Sequence, residues 1–377
     1  MDKTYCSGID TGLFVYVNGG VKVCCSGQND FGSVRQQPVT EIFNSKKFIE
    51  VRAALHNNQQ HDYCKGCYNI EQIAPGSSQM SAFNDQFPAV NGDRRLKLID
   101  IRWSNVCNLT CRYCNVNDSS EWRRLHGLSI ESVNRDYTES LFEEVLANRD
   151  TIECAYLLGG EPLMQKHNER LLDIIRPETK IDLLTNLAVN NLANNKIYQS
   201  LRRFPNVLWN LSFDNVGQRF EYVRQGAQWA TFTDNLKRIS DDFGVGRVTF
   251  HPVYTLWNAL NLEEYYDFAA QQNFRVNWQI ALPKIDPMGY ASDGFLTFGH
   301  KRSIIERAIQ EIDAVDINDP VLDGIKDSLI NDVEVVGKDV KFLDWTERME
   351  QFMPPGRPFA LLWSELNTLL HNQRTNI

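Results

Sequence analysis

The sequence predicts an α/β protein: a partial (β/α)6 TIM-like barrel with a small β-hairpin and helix module before it and a helical region after it. Three observations carry this expectation. From Leu96 to about residue 290, short β-prone apolar runs alternate with amphipathic stretches, the pattern of repeated βα units on a parallel sheet. Residues 1–90 have a different texture, with a hairpin signature and clustered cysteines. Beyond about Pro283 the strand pattern stops. A chain of 377 residues, 42% of them hydrophobic, also exceeds the roughly 250 to 300 residues at which single cores stop growing, so more than one unit is expected.

Within residues 1–90, LFVYVNGGVKVCC reads as two strands around Asn18, Gly19 and Gly20, followed by the helical TEIFNSKKFIEVRAAL. The stretch NIEQIAPGSSQMSAFNDQFPAVNGDRR is polar, is broken by Pro75, Gly76, Pro88 and Gly92, and reads as a connection. Residues 96–290 then offer six strands: LKLIDIRWS, ECAYLLGG, IDLLTN, NVLWNLSFD, GRVTFHPVYT and FRVNWQIAL. Between them SLFEEVLANR and NLEEYYDFAAQQ place apolar residues at helical steps. Each strand ends in polar or glycine residues, where the active-site loops of such barrels sit. Residues 291–377, including KRSIIERAIQEI and FALLWSELNTLLHN, read as helices and loops suited to covering one end of the barrel.

Charge and targeting narrow the function classes. The 39 basic against 48 acidic residues give a net charge of −9, which argues against a surface built to grip phosphate backbones, so nucleic acid is not indicated. MDKTYCSGID lacks the basic-then-apolar pattern of a secretory signal, and no segment approaches the roughly 18 apolar residues of a membrane span. A soluble, cytoplasmic protein is expected. Nine cysteines, odd in number and clustered, fit metal binding in a reducing compartment better than a disulfide framework.

SNVCNLTCRYCNVND carries Cys107, Cys111 and Cys114 at C-x3-C-x2-C spacing, directly after the first barrel strand. A cubane iron–sulfur cluster takes one cysteine per iron, so three thiolates leave one iron open to an exogenous ligand. The alternative is a zinc ion completed by a distant residue, with His126 or Cys154 nearest in sequence. CNLTCRYC, with the aromatic Tyr113 before its last cysteine, resembles the signature of the radical S-adenosylmethionine (SAM) superfamily. The resemblance implies that the methionine end of SAM chelates the open iron of a 4Fe-4S cluster. It implies also that the reduced cluster cleaves the sulfonium and that the resulting 5′-deoxyadenosyl radical abstracts hydrogen from a substrate.

LLGGEPL, Leu157 to Leu163, resembles that family's Gly-Gly-Glu-Pro motif for the SAM amino group. Gly159 and Gly160 permit close backbone approach, Glu161 adds a carboxylate suited to a cation, and Pro162 ends strand pairing. LLTN closes the third strand with Thr185 and Asn186, and LSFD closes the fourth with Ser212 and Asp214. By resemblance, Asn186, Ser212 and Asp214 contact the SAM carboxylate and ribose and Tyr113 joins the SAM-binding residues, while Thr185 is expected only to shape its turn. FEYVRQGAQW also resembles a family pattern, but Glu221 and Arg224, three residues apart, are expected to pair on a helix surface. His251, inside an apolar strand, is expected as a satisfied core histidine.

Cys6, Cys24, Cys25, Cys64 and Cys67 form a second group, in which a hairpin, a helix and a C-x2-C pair can bring four thiolates around one centre. On chemistry alone, zinc and iron–sulfur stand close to even there. C…LFVYVNGGVKVCC…FGSV…VTEIFNSKKFIEVRAAL…CKGC resembles the auxiliary-cluster modules called SPASM or twitch domains. The resemblance implies an auxiliary iron–sulfur cluster, 4Fe-4S by analogy, on Cys6, Cys24, Cys64 and Cys67, with Cys25 spare and His61 solvated. In the better-known enzymes this module follows the barrel, whereas here it precedes it, and its length suits a single cluster. The whole implies an enzyme acting on a peptide or protein residue, served by an external electron donor such as a flavodoxin or ferredoxin. A small-molecule or nucleotide substrate is the alternative among enzymes, and a zinc-binding scaffold the alternative outside them.

Overall fold

The computed structural model describes residues 4–73, 75–76, 78–88, 94–129, 135–255, 257–278, 302–315, 319–331 and 359–371. Its residues divide into two compact units, the first made of Met1–Cys107, Asn117–Thr185 and Asn191–Asn210, the second of Asn108–Val116, Asn186–Asn190 and Leu211–Ile377.

The first unit is built on β1 (Gly12–Val15), β2 (Gly20–Lys22), β3 (Gly32–Ser33), β4 (Leu98–Ile101), β5 (Cys154–Leu157), β6 (Lys180–Thr185) and most of β7 (Val207–Leu211), in the order β3-β2-β1-β4-β5-β6-β7. The expected hairpin is present: β1 and β2 are antiparallel, with Val15 opposite Val21. Its turn is set by Gly19 at φ +82°, whose N–H donates to the Tyr16 carbonyl at 2.7 Å, while the Asn18 side chain accepts from Gly20 N–H. The hairpin also extends the main sheet, because β1 runs parallel to β4 from Gly12 opposite Leu98 to Val15 opposite Ile101. Strands β4, β5 and β6 follow in parallel register. On the helix side, Trp103 stacks on Phe142 of helix Arg135–Asn148 at 4.7 Å, and its indole N–H donates to Asn168.

Local chemistry explains the small helices of this unit. TEIFNSKKFIEVRAAL forms two helices rather than one, Val39–Phe43 and Lys46–His56, because Ser45 stops the first and caps the second by accepting from Phe48 N–H. Phe48, Val51 and Leu55 then bury one face at helical spacing. The stretch read as a bare connection corrects the sequence reading, since it holds the end of helix Lys65–Ile73 and all of helix Gln79–Gln86, which buries Met80 and Phe83. The Glu71 carboxylate ties the two by accepting from Gly76 N–H, Ser78 N–H and the Ser81 hydroxyl. Turn residues at Pro75 and Gly76 masked two short helices whose apolar faces are completed only by packing.

The second unit holds Leu211, the last residue of β7, together with β8 (Val248–Phe250) and β9 (Arg275–Val276), which pair in parallel. His251 N–H donates to the Leu211 carbonyl at 2.8 Å. All six barrel strands expected from the sequence are thus present in an α/β structure rich in parallel pairs. The core centres on Phe213, which stacks on Phe232 at 5.1 Å and meets Phe250 at 4.6 Å and Tyr265 at 5.0 Å. In residues 291–377 the described parts hold helices Arg302–Ala314, Pro320–Asn331, Phe359–Leu362 and Ser364–His371, and the remainder of that expected helical region lies outside the described residues. Trp363 fixes the last of these by donating to the Trp257 carbonyl and meeting Tyr222 edge-on at 5.0 Å. Among the described residues no helix is long and apolar enough to cross a membrane.

Candidate metal and cofactor sites

The amino-terminal thiols are assembled within the first unit from separate elements. Cys6 precedes a short helical turn, Cys24 follows β2, Cys64 ends the 3-10 turn Asp62–Cys64, and Cys67 lies in helix Lys65–Ile73. All four are buried, while Cys25 is exposed. Burial pushes the Cys64 thiol up to about 12, with Cys67 adding to it. Burial likewise raises Cys6, with Cys64 and Cys67 contributing, and Cys24, with Cys25, Cys6, Cys67 and Cys64 contributing. Mutual charge thus links these thiols, and the exposed Cys25 acts on Cys24 and Cys67 as well. Among the described residues no group of three or more His, Cys, Asp or Glu is set to hold a metal ion, so the grouping rests on burial and mutual charge. A set of soft, buried thiol donors fits an iron–sulfur cluster, whose positive irons remove the cost of deprotonating them. His61 is engaged elsewhere, its Nδ1 accepting from Tyr63 N–H at 3.1 Å to cap the turn before Cys64.

Also in the first unit, the Gly-Gly-Glu-Pro segment follows β5. Gly159 and Gly160 have φ of +85° and +52°, values that favour glycine. A Cβ on Gly160 would meet the Val106 carbonyl oxygen at 2.3 Å, and one on Gly159 would meet the Arg102 stem at 2.9 Å. The cradle therefore excludes any side chain. Glu161, 0% exposed, turns its carboxylate inward: Oε1 accepts from Leu163 N–H at 3.1 Å and from the Thr185 hydroxyl at 2.6 Å. Thr185 thus does more than shape a turn, because its hydroxyl fixes Glu161. Pro162 opens the 3-10 turn Pro162–Met164 that Glu161 caps. Gln165, which sequence reasoning missed, donates to the carbonyls of Leu158 and Gly159 and accepts from Ser104 N–H. The two glycines line a cleft of about 310 Å³ with Tyr16, Asn18, Arg102 and Asn117. Arg102 is held there by Asp100, at 3.1 Å, and lies over the Tyr16 ring.

The three-cysteine stretch begins in the first unit with Cys107, whose N–H donates to the Ser120 hydroxyl. The two alternative zinc ligands lie on different elements. Cys154 is fully buried at the start of β5, whereas Cys107 follows the end of the parallel neighbour β4. His126 ends helix Ser120–Leu125 and stacks on Trp122.

Cys111, Tyr113 and Cys114 belong to the second unit. There the cysteine stretch is backed by the 223–225 segment: Arg112 N–H donates to the Val223 carbonyl at 2.8 Å and Thr110 N–H to that of Gln225 at 2.9 Å. Gly226, at φ +100°, lets the Asn108 carbonyl approach to 3.1 Å of where a Cβ would stand. Asn108 also organises the loop after β6, accepting from the Asn186 amide at 3.0 Å and donating to the Ala188 carbonyl. Asn186 in turn accepts from Ala188 N–H, and Leu187 holds φ +54°.

Asp214 is 1% exposed, and its oxygens accept from the Tyr113 hydroxyl at 2.5 Å, Arg224 Nη2 at 2.7 Å and Val253 N–H at 3.0 Å. This overturns the surface pairing expected of Arg224 with Glu221. Arg224 is 5% exposed, pairs with Asp214, and points Nη1 at the Cys111 sulfur, 3.8 Å away, while Glu221 accepts from Trp229 N–H. Helix Gly217–Val223 ends before Arg224, so the i,i+3 geometry needed for the pair is lost. Burial works against the guanidinium's charge, but Asp214, Tyr113 and Cys111 outweigh it and hold its pKa above the usual value. Burial raises the Cys111 thiol, and Arg224 opposes that rise. Ser212 is half-buried just past β7, and His251 is half-buried, with the Asn277 amide 3.4 Å from its Nε2.

Two family models match this chain: an iron–sulfur cluster-binding SPASM domain over residues 6–68, and the radical SAM superfamily over residues 101–269. Residues 101–269 are a radical SAM domain, and residues 6–68 an SPASM-type iron–sulfur module. The matched segments contain every cysteine of both groups, and they imply a 4Fe-4S cluster with SAM and an auxiliary iron–sulfur cluster in this radical SAM protein. It is 23% identical over 234 residues to the radical SAM cyclopropyl synthase TigE of Paramaledivibacter caminithermalis, covering 57% of this chain and 48% of that one. It is 24% identical over 236 residues to the GTP 3′,8-cyclase of Peptoclostridium acidaminophilum, covering 60% and 68%. The chain thus spans about half the length of the first of these relatives. Among solved structures it is similar to anSMEcpe with bound AdoMet, with a TM-score of 0.37 and 18% identity over 49% of this chain and 50% of that one. It is similar also to TYW1 with a lysine-pyruvate adduct, with a TM-score of 0.33 and 12% identity over 57% and 71%.

Proposed function

We propose that this radical SAM protein is an enzyme that generates a 5′-deoxyadenosyl radical and abstracts hydrogen from a residue of a peptide or protein. The carrying observation is that Cys107, Cys111 and Cys114 at C-x3-C-x2-C spacing and the glycine cradle at Gly159 and Gly160 occur in one superfamily match. The chemistry supplied when the groups are bound is reductive cleavage of the SAM sulfonium. The chain's own residues bind and orient. Cys107, Cys111 and Cys114 supply three thiolates. Gly159 and Gly160 let backbone carbonyls approach the methionine ammonium, and Glu161 and Pro162 hold that turn in shape. Asn186 serves the carboxylate, Ser212 the ribose, and Asp214 positions Tyr113 and Arg224. Cys6, Cys24, Cys64 and Cys67 would hold the auxiliary cluster, which would supply electron transfer to or from the substrate.

The peptide reading draws on the SPASM-type module, since many relatives bearing one modify peptides. A nucleotide or other small-molecule substrate is a second reading, favoured by the similarity to a GTP 3′,8-cyclase. Anaerobically reconstituted protein, given SAM and either dithionite or a reduced flavodoxin, is expected to yield 5′-deoxyadenosine by chromatography. A fully iron-loaded sample yielding none, or a colourless protein holding zinc without iron or sulfide, would overturn the proposal.

A further inference from the structure

The 223–226 segment supplies none of the proposed SAM contacts. Its Arg224 is a buried guanidinium locked at one end and aimed at a sulfur at the other. Asp214 grips Nη2 at 2.7 Å, and Asp214 is itself held by Tyr113 and Val253. The Tyr113 ring lies 5.6 Å from the guanidinium carbon. The backbone bonds from Arg112 to Val223 and from Thr110 to Gln225 fix the register between this segment and the stretch bearing Cys111. Nη1 then reaches the Cys111 Sγ at 3.8 Å. A lysine would not keep this arrangement, because one ammonium cannot grip a carboxylate in a fixed fork while donating to a sulfur on the other side.

Resting on the reading of Cys111 as a cluster ligand, we propose that Arg224 is a positioning and tuning residue, a charge-assisted donor to the Cys111 sulfur that stabilises the reduced over the oxidised state of the SAM-binding cluster. Hydrogen bonds to ligating sulfurs and the net charge around a cluster set its reduction potential. Reduction adds negative charge that spreads onto the sulfurs, so a fixed cation beside one of them favours the reduced state. The buried setting strengthens the effect, because little water screens it. Asp214 works as the clamp that keeps the guanidinium from turning away.

The test is a redox titration of the holoprotein followed by electron paramagnetic resonance, using the signal that SAM perturbs to identify the relevant cluster. Arg224→Gln is expected to lower the midpoint by an amount corresponding to roughly a tenfold change in the reduced-to-oxidised ratio, about 59 mV for a one-electron couple. Arg224→Lys, which keeps a charge in place, is expected to lower it less. Unchanged midpoints in both variants, with the SAM-perturbed signal present, would overturn the proposal, as would failure of both to assemble the cluster, which assigns Arg224 a purely structural role. Absence of any SAM-perturbed signal in the unsubstituted protein would instead strike at the proposed function.

Discussion

The two cysteine groups of this protein differ in how they are encoded and in what surrounds them. Cys107, Cys111 and Cys114 sit within eight residues of one another in sequence, while Cys6, Cys24, Cys64 and Cys67 are spread from position 6 to position 67. Around the amino-terminal thiols, the charges that act most strongly belong to other thiols, with Asp10 on Cys6 and Glu71 on Cys67, all of which oppose ionisation. Beside Cys111 stands a guanidinium that favours it. The comparison teaches that a ligand pattern sets where a metal centre can form, while the charge beside it decides how that centre behaves. Two iron–sulfur centres in one chain are thereby given unlike electrostatic surroundings.

The widest separation between the groups is expected from deleting one ligand of each. Cys111→Ala should abolish 5′-deoxyadenosine formation, whereas Cys64→Ala should spare SAM cleavage and block substrate turnover. Each variant should lose about four iron atoms, by the stoichiometry of a cubane. Cys25→Ser should keep full iron and both activities, and iron loss there would break the assignment of Cys24 as the ligand. Metal analysis and product chromatography together read these outcomes.

A smaller effect is expected at the cradle of the first unit. Gly160→Ala sets a Cβ against the Val106 carbonyl at a backbone φ of +52°, so it should cost on the order of 3 kcal/mol of stability. Denaturant unfolding of the protein measures this, and a loss below about 1 kcal/mol would show that the turn relaxes freely.

The smallest effect tests a titration away from both thiol groups. Burial lowers His251 from 6.5 to about 4, so the unfolded chain takes up this proton first. Its contribution is fully present above about pH 6.5 and is lost as the pH falls toward 4, because the unfolded state binds more protons in that window. Allowing for partial exposure, the loss should be about 2 kcal/mol, and His251→Phe should flatten stability over that range in thermal or denaturant unfolding.

By itself the sequence determined the features that neighbouring residues encode. The hairpin is legible because Gly19 must take a positive φ. The six barrel strands are legible because apolar runs end at polar residues, and the three-cysteine spacing and the Gly-Gly-Glu-Pro turn are contiguous in the chain. Only the tertiary structure decided the rest. Helix Gln79–Gln86 was hidden in a Gly- and Pro-broken stretch, since its apolar face is completed by packing. Thr185 acquires its role from Glu161, 24 residues away, and Arg224 acquires its role from Cys111, 113 residues away. The i,i+3 spacing of Glu221 and Arg224 pointed to a surface pair, but the helix ends before Arg224 and Asp214 claims the guanidinium. The physical reason is common to these cases: spacing constrains a side chain only within its own element, and a buried charge takes whichever partner the folded chain brings to it.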